Sequence, residues 1–223
     1  SAQIGKLNKD KTAFENSETI QCDCICVSGF WTPTVHLASQ SGNKLKFDDQ
    51  IDAFVPDKSK QNETSVGASK GTFTLKDTLD DGFKTGFDLS KKITNNNNST
   101  LPPNVNEIKK NPHDKFWCSP LPKDKNFKRF VDFQNDVAVS DIEIALREGY
   151  RSIEHVKRYT TLGMATDQGR TSNLNGLQLV ANVEKKIVPQ VGHTTFRPPF
   201  TPITIGTIVG REVDMEYMPT RKT

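Results

Sequence analysis

The chain has 223 residues, enough for one or two domains with a buried core. Its 30 Lys and Arg residues are interleaved with 27 Asp and Glu residues, and a net charge of +3 argues against a dedicated nucleic-acid-binding protein. The mean hydropathy of −0.60 and the lack of any run of roughly 20 apolar residues argue against a membrane-spanning protein.

The first 90 residues show the pattern of an α/β domain. Two strands, Ser1–Leu7 and Thr19–Ser28, joined by a polar turn at Asn8–Lys11, predict a two-stranded ribbon. Pro33 suits the first turn of a short helix. The remaining predicted elements are a helix over Thr34–Ser39, strands over Lys44–Phe47 and Asp52–Val55, a glycine-bearing turn at Ser65–Gly71, and a helix with Leu75, Leu79 and Phe83 on one face, closed by Gly86.

The chain has four cysteines, three of them in one short run. Cys22, Cys24 and Cys26 alternate along the predicted strand and would face one side of it. Metal sites usually use C-x-x-C pairs, and Cys118 is the one cysteine left elsewhere in the sequence. We therefore expect small buried thiols in a reducing cytoplasm.

Residues 91–129 predict a connector, because the tract Asn95–Asn98, the pair Pro102–Pro103 and a Lys/Pro-rich stretch offer little for a core. Phe116–Trp117 is expected to anchor it. Residues 193–223 predict a second, extended linker because four prolines interrupt regular structure: Pro198, Pro199, Pro202 and Pro219.

Residues 130–192 predict a small all-α module. The pattern from Ser140 to Glu143 is typical of a capping box, in which Ser140 caps the helix and Glu143 reaches back. This first helix ends at Gly149 and is predicted to bury Ile142, Ala145 and Leu146. A second helix, from Ser152 to Gly163, is predicted to bury Ile153, Val156 and Tyr159. A third begins near Thr171–Asn173 and is predicted to bury Leu174, Leu177 and Val180.

Two long segments of this module, Phe130–Val137 and Glu154–Asn173, resemble the alpha subunits of heterotetrameric sarcosine oxidases. The segments His193–Pro202 and Gly206–Arg211 resemble the next part of the chain in that family. Upstream, Cys22–Pro33 and Val66–Gly71 are similar to the back half of its nucleotide-binding domain. The resemblance implies the C-terminal part of a disulfide-reductase-like dinucleotide-binding domain over residues 1–90. It also implies that residues 193–223 lead towards a folate-binding domain, and we interpret both ends as internal to a longer polypeptide.

The same module is similar to ferredoxin-type domains of related amine and amino-acid dehydrogenases. Their four cluster ligands would fall on Asp132, Gln134, Asp167 and Ser172. A [2Fe–2S] cluster needs four thiolates, and none of these positions is cysteine. We expect no iron–sulfur cluster, which favours the oxidase over the cluster-bearing relatives.

The polar residues that remain suggest an anion-binding surface. The run Gly169–Ser172 leads into a helix N-terminus, where free N–H groups attract anions, and Lys157, Arg158 and Arg170 add positive charge. The resemblance suggests that this surface faces the phosphate of FMN or the subunit that holds FMN; capped helices and buried hydroxyls are the structural alternative. The candidate residues are Lys157, Arg158, Thr161, Gln168, Arg170, Thr171 and Ser172.

A nucleotide site is suggested at the other half. Gly67, Ala68 and Gly71 form a turn that could let a pyrophosphate approach the backbone, although an ordinary turn explains the same glycines. The family resemblance implies NAD there, with Trp31 and Thr32 on the neighbouring loop. Because no G-x-G-x-x-G motif precedes this turn, we expect weak NAD binding or none.

The resemblance implies a subunit that works with beta, gamma and delta subunits in the cytoplasm. The complete enzyme would convert sarcosine to glycine, a one-carbon unit on tetrahydrofolate and hydrogen peroxide, using FAD, FMN and NAD. No catalytic residue or resident metal is assigned to this chain. The alternatives are a subunit of a related secondary-amine, proline or opine dehydrogenase, and a helix-turn-helix nucleic-acid binder whose second helix carries Lys157 and Arg158.

Overall fold

The computed structural model describes residues 1–26, 29, 31–94, 101–106, 116–120, 127–198, 201 and 203–212. Within these ranges, three antiparallel two-stranded hairpins alternate with helices. None of the helices described there combines the length and apolar character needed to cross a bilayer.

The N-terminal half begins with a hairpin that its turn residues explain. The side-chain Oδ1 of Asn8 accepts hydrogen bonds from the backbone N–H groups of Thr12 and Ala13, and Lys11 adopts a positive φ of 56°. The elements of this half are β1 (Ala2–Leu7), β2 (Phe14–Ile20), α1 (His36–Gln40), β3 (Leu45–Asp48), β4 (Ala53–Pro56), a 3₁₀ turn (Gly67–Lys70) and α2 (Leu75–Thr94).

The predicted ribbon is confirmed, but its second strand was predicted too late in the chain. Phe14 and Ile20 pair with Leu7 and Ala2, whereas residues 21–26 have no strand structure. The expectation of buried thiols is wrong for the same reason. Cys24 and Cys26 are exposed and Cys22 is half-buried, because no sheet packs over this segment in the described residues.

Helix α2 is longer than its sequence pattern predicts. It passes through Gly82 and Gly86 and continues to Thr94, so Gly86 does not end it. Nothing lies within 4 Å of the position that a Cβ on either glycine would take. No side chain of α2 is buried, and its glycines therefore cost helix propensity without a close contact that requires them.

The helical half contains a hairpin and five helices in the described residues. These are β5 (Phe130–Asp132), β6 (Val137–Ala138), α3 (Val139–Arg147), α4 (Ile153–Thr160), α5 (Asn173–Glu184), α6 (Val188–Val191) and α7 (Ile205–Val209). Short helix α6 lies inside the predicted helical module as a helix that the sequence did not predict, and α7 lies where an extended linker was expected. The tract Asn95–Asn98 and the residues after Arg211–Glu212 lie outside the described residues.

The first predicted helix is confirmed with a different cap. Helix α3 begins at Val139, and the Asp141 carboxylate, not Glu143, accepts a hydrogen bond of 2.8 Å from the backbone N–H of Ala138. The helix starts two residues earlier than predicted because Ala138 already pairs with Phe130 in the hairpin. That shift moves the third position of the helix from Glu143 to Asp141.

The hydrophobic core lies almost entirely in the helical half. Its members include Ile142, Ala145 and Leu146 of α3, as predicted. The others come from the hairpin, from the start of α3, from α4 and the loop after it, and from α5 and α6: Val131, Val137, Val139, Ile153, Val156, Leu162, Leu177, Leu179, Val180, Ala181 and Val188. Tyr159 was expected there but is half exposed and packs against Tyr150, with ring centroids 4.8 Å apart. Phe47 and Phe54 reach this core from β3 and β4.

The observed fold mixes helices with small antiparallel sheets. A parallel sheet, the defining layer of a dinucleotide-binding domain, does not occur among the residues described. The assignment of residues 1–90 to such a domain therefore stays a prediction. The same holds for the division of the chain at residues 90, 129 and 192.

Candidate functional site

Asp132 organises the loop that carries most of the predicted site residues. Its side chain is 2% exposed, and its Oδ2 accepts a 2.8 Å hydrogen bond from the Gly163 N–H and one of 3.4 Å from the Ser172 hydroxyl. Its Oδ1 accepts from the backbone N–H groups of Gln134 and Asn135. One carboxylate therefore ties the end of β5 to both ends of the loop 163–172.

The other three positions predicted to match cluster ligands also make internal hydrogen bonds. Ser172 is fully buried, and the Gln134 side-chain oxygen accepts from the Thr166 hydroxyl at 2.8 Å. The Asp167 carboxylate accepts from the Thr171 hydroxyl and from the Gly169 N–H. Nowhere in the described ranges do three or more His, Cys, Asp or Glu side chains form a group that could hold a metal ion.

Two glycines and Asn173 shape the same loop. Gly163 and Gly169 have positive φ values of 67° and 74°, and the Asn173 side chain occupies the space that a Cβ on either would need. The Asn173 amide nitrogen donates to the Thr194 hydroxyl at 3.1 Å and to the Gln168 carbonyl at 3.4 Å. Asn173 thereby joins the first turn of α5 to residues 163–169 and to the segment after α6.

His36 connects the N-terminal half to this loop. It is 3% exposed, its Nε2 lies 3.1 Å from the Gln168 carbonyl oxygen, and its ring packs on Phe196 with centroids 4.0 Å apart. Because the carbonyl only accepts, Nε2 carries the proton. Burial lowers the pKa of His36, and the nearby Arg170 guanidinium acts in the same direction, while the Gln168 hydrogen bond and Asp167 oppose them.

A cavity of about 90 Å³ lies where the two halves meet. Thr32, predicted for NAD, and Arg170, predicted for FMN, both line it, together with His36 and His193. The Arg170 Nη2 also donates to the Thr201 hydroxyl at 3.0 Å. One residue predicted to contact NAD and one predicted to contact FMN therefore line the same cavity. The cavity is small for a nucleotide.

A second, larger cleft of about 550 Å³ collects three of the predicted residues, Lys157, Arg158 and Gln168. We call it the Lys157 cleft; the other side chains around it are Glu154, Met164, Thr195 and Arg197. Thr161 is not among its lining residues, and its left-handed backbone ends α4. Thr171 is exposed, and its hydroxyl bonds to Asp167.

The predicted nucleotide turn has its own internal partner. The Gly67 N–H donates to the Asp81 carboxylate of α2 at 3.0 Å, and the Lys70 ammonium contacts the same carboxylate at 3.0 Å. The Gly67 hydrogen bond, followed by Lys70, holds the pKa of Asp81 below its usual value. A pyrophosphate at this turn would have to replace that carboxylate at Gly67.

The loop that carries Trp31 and Thr32 lies beside this turn. A Cβ on Gly71 would come within 3.7 Å of Pro33, next to Thr32, and within 2.7 Å of Ile51. Trp31 is 76% exposed, and Ala68 is exposed as well. The turn and the loop are therefore adjacent, and Thr32 and Pro33 of the loop line the cavity where the two halves meet.

Sequence reasoning missed His36, Asn173 and Arg197 as members of these sites. Each acts through residues distant in the chain, since His36 meets Gln168 across 132 positions. No spacing or motif signals such a contact. Asp132 was singled out as a lost metal ligand, but its hydrogen bonds to Gly163 and Ser172 were not foreseen.

Comparison with known proteins identifies relatives of the chain. Residues 126–211 match the family model of the sarcosine oxidase A3 domain. The chain is 36% identical over 214 residues to the sarcosine oxidase subunit alpha of Rhizobium meliloti (strain 1021), covering 93% of this chain and 21% of that protein. It is 34% identical over 225 residues to the same subunit of Corynebacterium sp. (strain U-96), covering 99% of this chain and 23% of that protein.

A solved structure shares the fold at lower identity. The crystal structure of L-proline dehydrogenase from P. horikoshii matches with a TM-score of 0.53 and 19% sequence identity, covering 79% of this chain and 37% of that chain. The resemblance to sarcosine oxidase alpha subunits is confirmed by the family model and the curated relatives. This chain spans between a fifth and a quarter of the length of those relatives.

Proposed function

We propose, from its similarity to sarcosine oxidase alpha subunits, that the chain is part of such a subunit in a flavin-dependent amine oxidase. The observation that carries the proposal is 34–36% identity extending over 93–99% of the chain, together with the A3 domain match over residues 126–211. The complete enzyme would oxidise sarcosine to glycine, pass the one-carbon unit to tetrahydrofolate and form hydrogen peroxide in the cytoplasm.

In this proposal the chain supplies scaffolding and cofactor contacts. The helical half would face FMN and the subunit that shares it, and the turn Gly67–Gly71 with Trp31 and Thr32 would border NAD. FAD and tetrahydrofolate would bind elsewhere in the complete enzyme, which would also contain beta, gamma and delta subunits. The chemistry of amine oxidation would therefore take place on other residues than those of this chain.

Arg170 offers a direct test of the flavin contact. In the complete enzyme, Arg170→Ala is expected to lower the FMN content or weaken subunit assembly, because the guanidinium lies beside the N-terminus of α5 at the junction of the two halves. Arg151→Ala, which removes an exposed guanidinium paired with Glu184, is the matched control. Unchanged FMN content and assembly in Arg170→Ala would remove the proposed contact.

The second candidate function is that of a subunit of a related dehydrogenase. An oxidase and a dehydrogenase differ in the electron acceptor that they use. An oxidase transfers electrons to oxygen and forms hydrogen peroxide, whereas a dehydrogenase reduces an artificial acceptor and consumes little oxygen.

The structure argues against the helix-turn-helix hypothesis, which relied on Lys157 and Arg158 to contact nucleic acid. Lys157 is buried, and Arg158 pairs with Glu154 at 3.3 Å. A DNA mobility shift that disappears with rising salt would be needed to revive it.

A further inference from the structure

The cavity where the two halves meet has the lining of a small-ligand site, and we call it the junction cavity. Much of its wall is apolar or aromatic, with Pro33, Leu45 and Ala53 from the N-terminal half and Leu177 and Phe196 from the helical half. Ligand sites are commonly apolar hollows in which a few polar groups fix the ligand. Because both halves of the chain contribute to the wall, a ligand in this cavity would contact both.

The charge at the junction cavity favours an anionic ligand. Arg170 lines the cavity and is exposed, so its guanidinium lies where a ligand would enter from solvent. None of the described residues that line the cavity is an Asp or a Glu. A guanidinium carries five N–H donors, which lets one arginine serve several acceptors, and its planar shape matches that of a carboxylate. The Arg170 side chain can therefore bind a carboxylate while it keeps its bond to the Thr201 hydroxyl.

A buried hydroxyl group supplies a second donor. Thr194 lines the cavity and is 2% exposed. Its hydroxyl oxygen accepts a 3.1 Å hydrogen bond from the Asn173 amide nitrogen, and among the described residues no group accepts the hydroxyl proton in return. A buried donor without an acceptor is unfavourable, and an oxygen atom of a ligand would satisfy it.

The volume of the junction cavity limits the size of the ligand. An apolar cavity of roughly 150 Å³ holds benzene, which has six carbon atoms. The junction cavity measures about 90 Å³ and in proportion accommodates about four non-hydrogen atoms. A nucleotide, a flavin or an aromatic acid is larger than this, whereas a two-carbon carboxylate such as acetate has the required size.

We propose that the junction cavity binds a two-carbon carboxylate. Its oxygen atoms accept hydrogen bonds from Arg170 and Thr194, and its carbon chain packs on the apolar wall. The bound anion contacts both halves and stabilises the junction between them, because a ligand stabilises the state that binds it. Such a site goes beyond the proposed function, since its ligand is neither a flavin nor NAD.

The test is titration of the 223-residue chain with sodium acetate at neutral pH and constant ionic strength, followed through the backbone amide signals in NMR spectra. Acetamide, which has the same size and no charge, is the matched control ligand. Acetate is expected to bind at least about tenfold more tightly than acetamide, because a hydrogen bond to a charged group is worth roughly that factor. Benzoate, which is too large, should leave the signals of Thr194 and Arg170 unchanged.

Two variants and a control locate the binding. Arg170→Gln, at an exposed position, should weaken acetate binding by about tenfold, since it removes the charge and keeps N–H donors. Leu174→Phe, which adds volume inside the cavity from α5, should abolish acetate binding. Arg151→Gln, at an exposed arginine outside the cavity, should leave the acetate affinity of the chain unchanged.

Three results would overturn the proposed carboxylate site. The first is an absence of acetate-dependent shifts at millimolar concentration, and the second is equal affinity for acetate and acetamide. The third is full retention of acetate affinity in Leu174→Phe or Arg170→Gln when the spectrum shows that the variant is folded. The FMN content of the complete enzyme enters none of these measurements, so the carboxylate site and the proposed function can fail separately.

Discussion

At the scale of single residues, the loop 163–172 depends on Asp132. Its one buried carboxylate accepts hydrogen bonds from two residues at opposite ends of the loop, Gly163 and Ser172. It also accepts from the backbone N–H groups of Gln134 and Asn135, just beyond β5. These hydrogen bonds to one carboxylate connect the segments.

Replacing Asp132 with Ala should destabilise the helical half strongly. The substitution leaves the buried Gly163 N–H and Ser172 hydroxyl without their acceptor, at a cost of about 1–3 kcal/mol for each group. Chemical denaturation followed by circular dichroism measures the change in free energy of unfolding. Glu143→Ala, at an exposed carboxylate of the same half, should change it by less than about 0.5 kcal/mol. Equal effects of the two substitutions would contradict the role given to Asp132.

Gly169 is needed for two reasons that can be tested separately: a side chain would collide with Asn173, and the backbone has a positive φ. Gly169→Ala places a Cβ on the Asn173 side chain, whereas Gly149→Ala, also at positive φ, meets nothing within 4 Å. We expect Gly149→Ala to cost about 1 kcal/mol of unfolding free energy from strain alone and Gly169→Ala clearly more. Adding Asn173→Ala should recover part of the extra loss in a double-mutant cycle. Similar losses in the two single variants would show that the Asn173 contact is unimportant.

At the scale of elements, the start of α3 is set by the hairpin before it. Asp141 accepts from the Ala138 N–H, so Asp141→Ala should lower the free energy of unfolding by about 1 kcal/mol. The cap predicted from sequence alone would instead make Glu143→Ala the more damaging change. Denaturation of both variants decides between them, and a larger loss for Glu143→Ala would mean that the helix begins where the sequence pattern places it.

Local patterns predicted α3, α4 and α5 and the residues Ile142, Ala145 and Leu146 that α3 buries, because hydrophobic periodicity reports which face meets a core. These patterns failed where packing against other parts of the chain determines where an element ends or which residues meet. The Thr19–Ser28 run has strand propensity, yet β2 ends at Ile20, and α2 runs through Gly86 because no local signal there outweighs helix propagation. The contact of His36 with Gln168 joins distant segments, and no single-sequence pattern encodes it.

The junction between α1 and the loop 163–172 should respond to pH through His36. Because burial lowers its pKa below the ordinary value of 6.5, the unfolded chain takes up the proton first as the pH falls. The free energy of unfolding is therefore unaffected by this group above about pH 6.5 and decreases below it. His36→Gln should remove this decrease below about pH 6.5, while His155→Gln, at an exposed position, should not. An identical pH profile for His36→Gln and the parent chain would contradict this assignment.

At the scale of the whole molecule, the hydrophobic core is concentrated in the helical half. The hydrophobic core lies between Val131 and Val188, and the N-terminal half reaches it through Phe47 and Phe54 and through His36 on Phe196. The matched A3 domain of residues 126–211 covers this same half. The Lys157 cleft lies on it, and the cavity lined by Arg170 lies where it meets the N-terminal half, so we expect cofactor contacts of the complete enzyme to concentrate there.

The central claim is that this chain forms part of a sarcosine-oxidising alpha subunit. The most direct test is oxygen consumption by the complete subunit assembled with its partners, with sarcosine or L-proline as the substrate. We predict sarcosine-dependent oxygen uptake with hydrogen peroxide formed in equal amount. Reduction of an artificial electron acceptor by L-proline, with no oxygen uptake from sarcosine, would contradict the claim and assign the chain to a dehydrogenase.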